Sequence, residues 1–138
     1  MRSAEFEKRH AASAIVSTML LDVMTALLEG YRRDGRNVGS VFPEWMVAAA
    51  IRENDQRGGE PANMTTIAER IHDKRQNVGR WVKPLLRFRV IKQSGRYGLV
   101  GNDEYLQARM NAPYWMLVVK AIIKAGKQLE DLYRDDLK

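Results

Sequence analysis

From residue 5 to residue 28 the chain carries no proline or glycine, and Ile15, Met19, Leu20, Val23, Met24, Leu27 and Leu28 recur at intervals of three and four, with Val16 and Leu21 widening the apolar sector. That pattern predicts one long helix, buried on most sides. Asp22, Ser13, Ser17 and Thr18 interrupt the run and argue against a membrane span. Acidic residues and a histidine ahead of it argue against a secretory signal. Residues 30–40, GYRRDGRNVGS, read as a glycine-punctuated loop. Pro43 fits the first position of a second helix whose core stripe is Met46, Val47, Ala50 and Ile51, ended by Gly58 and Gly59. A third, short helix is predicted from Thr65 or Thr66 to about Ile71, with Thr66 and Glu69 at capping-box spacing. After a tight connection at His72 and Asp73, a fourth helix spans 75–88, with Val78, Trp81, Val82, Leu85 and Leu86 facing inward. Residues 90–92 and 97–100 flank Gln93-Ser94-Gly95-Arg96 and predict a small hairpin. Asp103 is placed to cap a helix over 104–110. From Pro113 onward Trp115, Val118, Val119, Ile122, Leu129, Leu132 and Tyr133 mark a last helix with Lys120, Lys124 and Lys127 outside.

A chain of 138 residues, 45% hydrophobic and 29% charged, is long enough to close a core without covalent staples and has the balance of a soluble globular protein. One domain over 1–138 is expected, mainly α, and α+β only by virtue of the hairpin. The absence of cysteine removes thiol nucleophiles, disulfides and thiolate zinc sites, and fits a cytoplasmic address. The two histidines, His10 and His72, have no partner at metal-ligand spacing on the same helix face. No paired carboxylates, nucleophile with base or phosphate loop can be assembled either, so no enzyme, metal or cofactor is expected. Charge changes the picture more. Lys74, Arg75, Arg80, Lys83, Arg87, Arg89, Lys92 and Arg96 fall in residues 74–96 with no acidic residue among them, giving +8 in a chain whose net charge is +6. The remainder sums to −2, so the basicity is local. Such a patch is either a solvated helix face or an electrostatic footprint for phosphates.

The order of the central elements, helix, helix, tight turn, helix and hairpin, with basic residues confined to the last two, describes a winged helix-turn-helix over 43–101. Thr66-Ile67-Ala68-Glu69-Arg70-Ile71 would brace the second helix, and Ala68 is small enough to let it cross closely. The layout resembles the winged-helix transcription regulators, most of all the MarR (multiple antibiotic resistance regulator) family. At motif level the resemblance covers 64–100, and outside it only the arrangement of helices is similar. The family's usual Leu-Gly-Val-Ser turn stands here as Ile71-His72-Asp73-Lys74. Histidine in place of glycine adds strain at a position that takes positive φ, and the Asp73 carboxylate could cap the following helix. The resemblance implies that the long helices over 5–29 and 104–136 form a dimer interface. It also implies a small-molecule effector pocket, for which Phe42, Trp45, Tyr114 and Trp115 are the candidates, although packing is the safer reading of them.

The resulting expectation is a homodimeric, sequence-specific regulator of transcription, a repressor, reading a palindromic site in double-stranded DNA with the helix near 75–88 and a short wing near 92–98. Arg75, Gln76, Asn77 and Arg80 combine a guanidinium suited to guanine with amides suited to adenine, and are the candidates for base contact. Thr65, Thr66, Lys74, Lys83, Lys92 and Arg96 are the candidates for phosphate contact. For Thr65 and Thr66, helix capping is an equal alternative. A reading from another class is a winged helix used as a protein-interaction module in a phage or replication assembly, its basic face docked on an acidic partner.

Overall fold

The computed structural model describes residues 2–30 and 37–137. Among these the fold is mainly α-helical, with six helices and one two-stranded antiparallel hairpin: α1 (Ala4–Gly30), α2 (Val38–Arg57), α3 (Met64–Ile71), α4 (Arg75–Arg87), β1 (Ile91–Ser94), β2 (Gly98–Gly101), α5 (Asp103–Met110) and α6 (Pro113–Leu132). They form two compact units. One is built by α2 through α5, the other by α1 and α6. The short helix α5 thus belongs with the central elements rather than with the terminal helices.

In the central unit α2 begins at Val38, ahead of the start at Pro43 that the sequence predicts. The reason is a reciprocal cap: Asn37 Oδ1 accepts from the Ser40 backbone N–H and Ser40 Oγ accepts from the Asn37 N–H, both at 3.1 Å. Pro43 therefore lies inside the helix, where it leaves the Gly39 carbonyl without its usual donor. Of the predicted loop, Gly30 closes α1, Asn37 caps α2 and 38–40 open it, and residues 31–36 lie outside the described residues. Val47 and Ile51 on α2, Ile67 on α3, Val78, Val82 and Leu85 on α4, and Val90, Ile91 and Leu99 around the hairpin make the core, each at 4% exposure or less. Trp81 and Leu86 are only half-buried.

The start of α3 is set by Asn63 and not by a Thr66–Glu69 pair. Asn63 is extended, its Oδ1 accepts from the Thr66 N–H, and Thr66 Oγ1 accepts from the Asn63 N–H, both at 3.0 Å. Asn63→Ala should therefore lower stability by about 1 kcal/mol in urea denaturation, whereas Glu69→Ala should stay within about 0.5 kcal/mol. Equal losses would show that the cap is misassigned. Arg70 then fastens α3 to α2 through two bonds to Glu53, at 2.7 and 3.0 Å, and these hold the Glu53 carboxyl below its usual range.

Both ends of the next connections use a left-handed residue that is not glycine. At the end of α3, His72 has φ 57° and ψ 48°, while Asp73 N–H reaches the Ala68 carbonyl and His72 N–H the Glu69 carbonyl. This is a Schellman ending with histidine in the glycine position. The same pair of bonds ends α4, with Arg89 at φ 59°, Val90 N–H on Leu85 O and Arg89 N–H on Leu86 O. Asn102 then secures the corner: its side-chain amide donates to Arg89 O at 2.9 Å and its backbone N–H to Val90 O at 3.1 Å. The same residue, not Asp103, caps α5, accepting from the Glu104 N–H at 3.2 Å.

The hairpin strands pair Ile91 with Gly101 and Ser94 with Gly98 around a loop of residues 95–97, one step later than the predicted turn. On its other edge β2 meets a bridge residue that the sequence pattern does not announce: Leu99 N–H donates to Ala62 O at 2.7 Å. Gly98 makes this possible, since a Cβ there would lie 2.8 Å from Pro61 Cβ and 2.3 Å from Ser94 O. Asp55 of α2 holds the far end, accepting from Gly101 N–H at 2.8 Å.

In the terminal unit α1 and α6 run antiparallel. Lys8 pairs with Asp136 at one end and lies over the Tyr133 ring, and at the other the Tyr114 ring packs directly on Gly30, leaving no room for a Cβ. The sequence predicts an α1 buried on most sides. Within this unit only Ala26, Leu27 and Gly30 of α1 are buried, while Leu20, Leu21, Met116, Leu117, Ile122 and Ile123 are about half-exposed or more. By length and composition α1 is also apolar enough to cross a membrane.

Candidate nucleic-acid interface

The inward positions Val78, Val82 and Leu85 fix the rotation of α4, and helical geometry then sets Gln76, Arg80, Lys83 and Arg87 on the side away from that stripe, with Gly79 at its flank, while Arg75, in register with the stripe, is exposed at the first position of the helix. All eight cations of residues 74–96 are exposed. None of them makes an ion pair among the described residues. The contrast with the rest of the chain is informative, because Arg57 and Arg70 pair with Glu53, Arg9 with Glu5, Lys8 with Asp136 and Arg134 with Asp131. Along α4 and the hairpin no cation is paired in this way among the described residues.

Within the face the predicted residues differ in freedom. Arg75 and Gln76 are exposed. Asn77 is half-buried and tied at both ends of its amide: Nδ2 donates to Asp73 Oδ1 at 2.7 Å, and Oδ1 accepts from the Arg80 guanidinium. Asp73 Oδ1 also accepts from the Lys74 backbone N–H at 2.7 Å. The hydrogen bond from Asn77, reinforced by that backbone bond, holds the Asp73 carboxyl below its usual range. Asp73 therefore restrains the first turn of α4 through Lys74 and Asn77, while the residue at the cap position, Lys74, makes no side-chain cap. The result is a short chain, Asp73 to Asn77 to Arg80, that orients one guanidinium from behind.

Among the residues proposed for phosphates, Thr65 is exposed, but Thr66 donates its hydroxyl to Asn63 O at 3.0 Å within the α3 cap. Its one side-chain donor is thus engaged. Lys74 and Lys83 stand on the α4 side of the face, and Lys92 on β1. Lys92 shares a hollow of about 340 Å³ with Asp55, Glu60 and Asp103. Arg96, in the hairpin loop, lies 5.2 Å over the Tyr97 ring, which is 70% exposed.

Of the aromatic residues proposed for an effector, Phe42 and Trp45 belong to the central unit, where their rings stack with centroids 6.0 Å apart. Tyr114 and Trp115 belong to the terminal unit, Tyr114 buried against Gly30. Among the described residues no group of three His, Asp or Glu side chains is placed to hold a metal ion. Two features of the face escape a reading by residue type: the engagement of Asn77, and Met64 at the start of α3, which lines a concavity with Lys74, Arg75, Gln76 and Gly79. Only the tertiary fold brings Met64 there. Compared with known proteins, the chain matches no family model, no curated protein and no solved structure.

Proposed function

We propose that the chain is a homodimeric, sequence-specific DNA-binding regulator of transcription, a repressor built on a winged helix-turn-helix. In this reading α3 braces α4, α4 enters the major groove as the recognition helix, and the β1–β2 hairpin is a short wing beside the backbone. The observation that carries it is that eight cations within residues 74–96, all exposed, make no ion pair among the described residues, while Arg57 and Arg70 on the neighbouring α2 and α3 both pair with Glu53. A row of uncompensated charge on a rigid helix and ribbon suits a polyanion of fixed geometry. Arg75, Gln76 and Arg80 serve the base edges, with Asn77 as the positioning residue behind Arg80. Lys74, Lys83, Arg87, Arg89 and Arg96 serve phosphates. Pairing of two chains is supported by the apolar side chains that α1 and α6 leave exposed within their own unit.

The test is fluorescence anisotropy on random-sequence duplex across a salt series. Retention at low salt is expected, with log affinity falling against log salt at a slope of about −4 or steeper, as several phosphates lose their counterions. No retention at low salt would overturn the reading and favour docking of the basic face on an acidic protein. Sedimentation at micromolar concentration should give a dimer, and a monomer would remove that part.

A further inference from the structure

Gly79 lies in the middle of α4 and costs about 1 kcal/mol of helix propensity relative to alanine. Nothing among the described residues requires it. Its φ is not in the left-handed region, and a Cβ built there meets only Met64 Sδ, at 3.8 Å, an ordinary contact. Gly30 and Gly98 differ in kind, since a Cβ at either would collide with Tyr114 or with Pro61 and Ser94. Gly79 lines a shallow, open concavity of about 530 Å³ together with Met64, Lys74, Arg75 and Gln76.

The chemistry of this notch is mixed in a particular way. The Met64 thioether and the bare Cα of Gly79 lie side by side in it, soft and apolar. Gln76, an amide with both donor and acceptor, and two cations, Lys74 and Arg75, line it as well. A fitting occupant carries a small apolar group next to a donor–acceptor edge, within a polyanion. On the major-groove edges of duplex DNA the apolar group is the thymine 5-methyl, and the adenine of the same pair offers N7 and N6 to a glutamine amide.

We propose that the notch between Met64 and Gly79 seats a thymine methyl, with Gln76 facing the adenine, so that α4 selects an A·T pair at this point of each half-site. The inference rests on the DNA-binding reading above. Covering one methyl group corresponds to roughly a fourfold gain in affinity. The experiment uses a duplex recovered by selection from a random library with the full chain, its thymines then replaced one at a time by deoxyuridine. One position per half-site should lose about three- to fivefold in affinity with the wild-type chain. With Gly79→Ala that position should no longer respond to loss of the methyl, while the variant's Tm is equal to or above that of the wild type. If no deoxyuridine position matters, or if Gly79→Ala keeps the same loss, the notch proposal is wrong although DNA binding stands. If selection enriches no sequence, sequence-specific reading fails and the notch with it.

Discussion

Arg80→Ala is expected to weaken binding to a selected duplex by roughly 5- to 150-fold, the range of one guanidinium on a guanine edge, and to weaken unrelated duplex much less. Arg80 stands apart from the other cations because its guanidinium is oriented before any ligand arrives, by Asn77 and through it by Asp73. Orienting it in advance removes part of the ordering entropy that a long side chain loses on binding. Asp73 is ionised at neutral pH, and its lowered pKa extends that state to more acidic solution, so its contribution is lost only as pH falls through the lowered value. Lys83→Ala, one turn further along the same side, should weaken selected and unrelated duplexes alike and reduce the salt slope by about one. Lys92→Ala should do less, because Asp55, Glu60 and Asp103 share its hollow and offset its charge. Competition binding with the two duplexes reads all three. Equal discrimination losses for Arg80→Ala and Lys83→Ala would remove the distinction between base and phosphate roles.

The second large effect is on stability. Leu85 is fully buried on the inner side of α4, the helix that packs on α2, α3 and β1. Leu85→Ala should cost about 2–5 kcal/mol, from lost transfer free energy and the cavity left where neighbours cannot close in. Arg87→Ala, two positions on and exposed, should change stability by no more than about 0.5 kcal/mol. Urea denaturation monitored by circular dichroism separates them. A loss under about 1 kcal/mol for Leu85→Ala would mean that α4 is not seated by this stripe, and the assignment of its outward face would go with it.

Much of this arrangement is legible in the chain. The stripe Val78, Val82 and Leu85 predicts the rotation of α4, and the concentration of cations in 74–96 predicts the charged face, because both depend on spacing alone. The helix starts that differ from expectation share one physical source, competition among local groups for the free backbone N–H. Pro43, Thr66 with Glu69, and Asp103 all have the right identity for a helix start, yet Asn37, Asn63 and Asn102 make the bonds. Each asparagine stands just ahead of the helix that it caps, and spacing does not say which of two suitable side chains reaches the free N–H first. The engagement of Asn77 is hidden for a similar reason, since it depends on the rotamer that Asp73 selects. The bridge at Ala62 and the exposure of Leu20 and Leu21 depend on what packs against them, which periodicity leaves open.

His72 and Arg89 close α3 and α4 with the same left-handed stop, and Asn102 bolts the second one down. The segment between them is consequently bounded at each end, unable to gain a turn at either end without breaking the stop there. Its outward side chains are dealt in an unchanging order, so new targets would arise by exchanging those side chains rather than by sliding the helix past its neighbours.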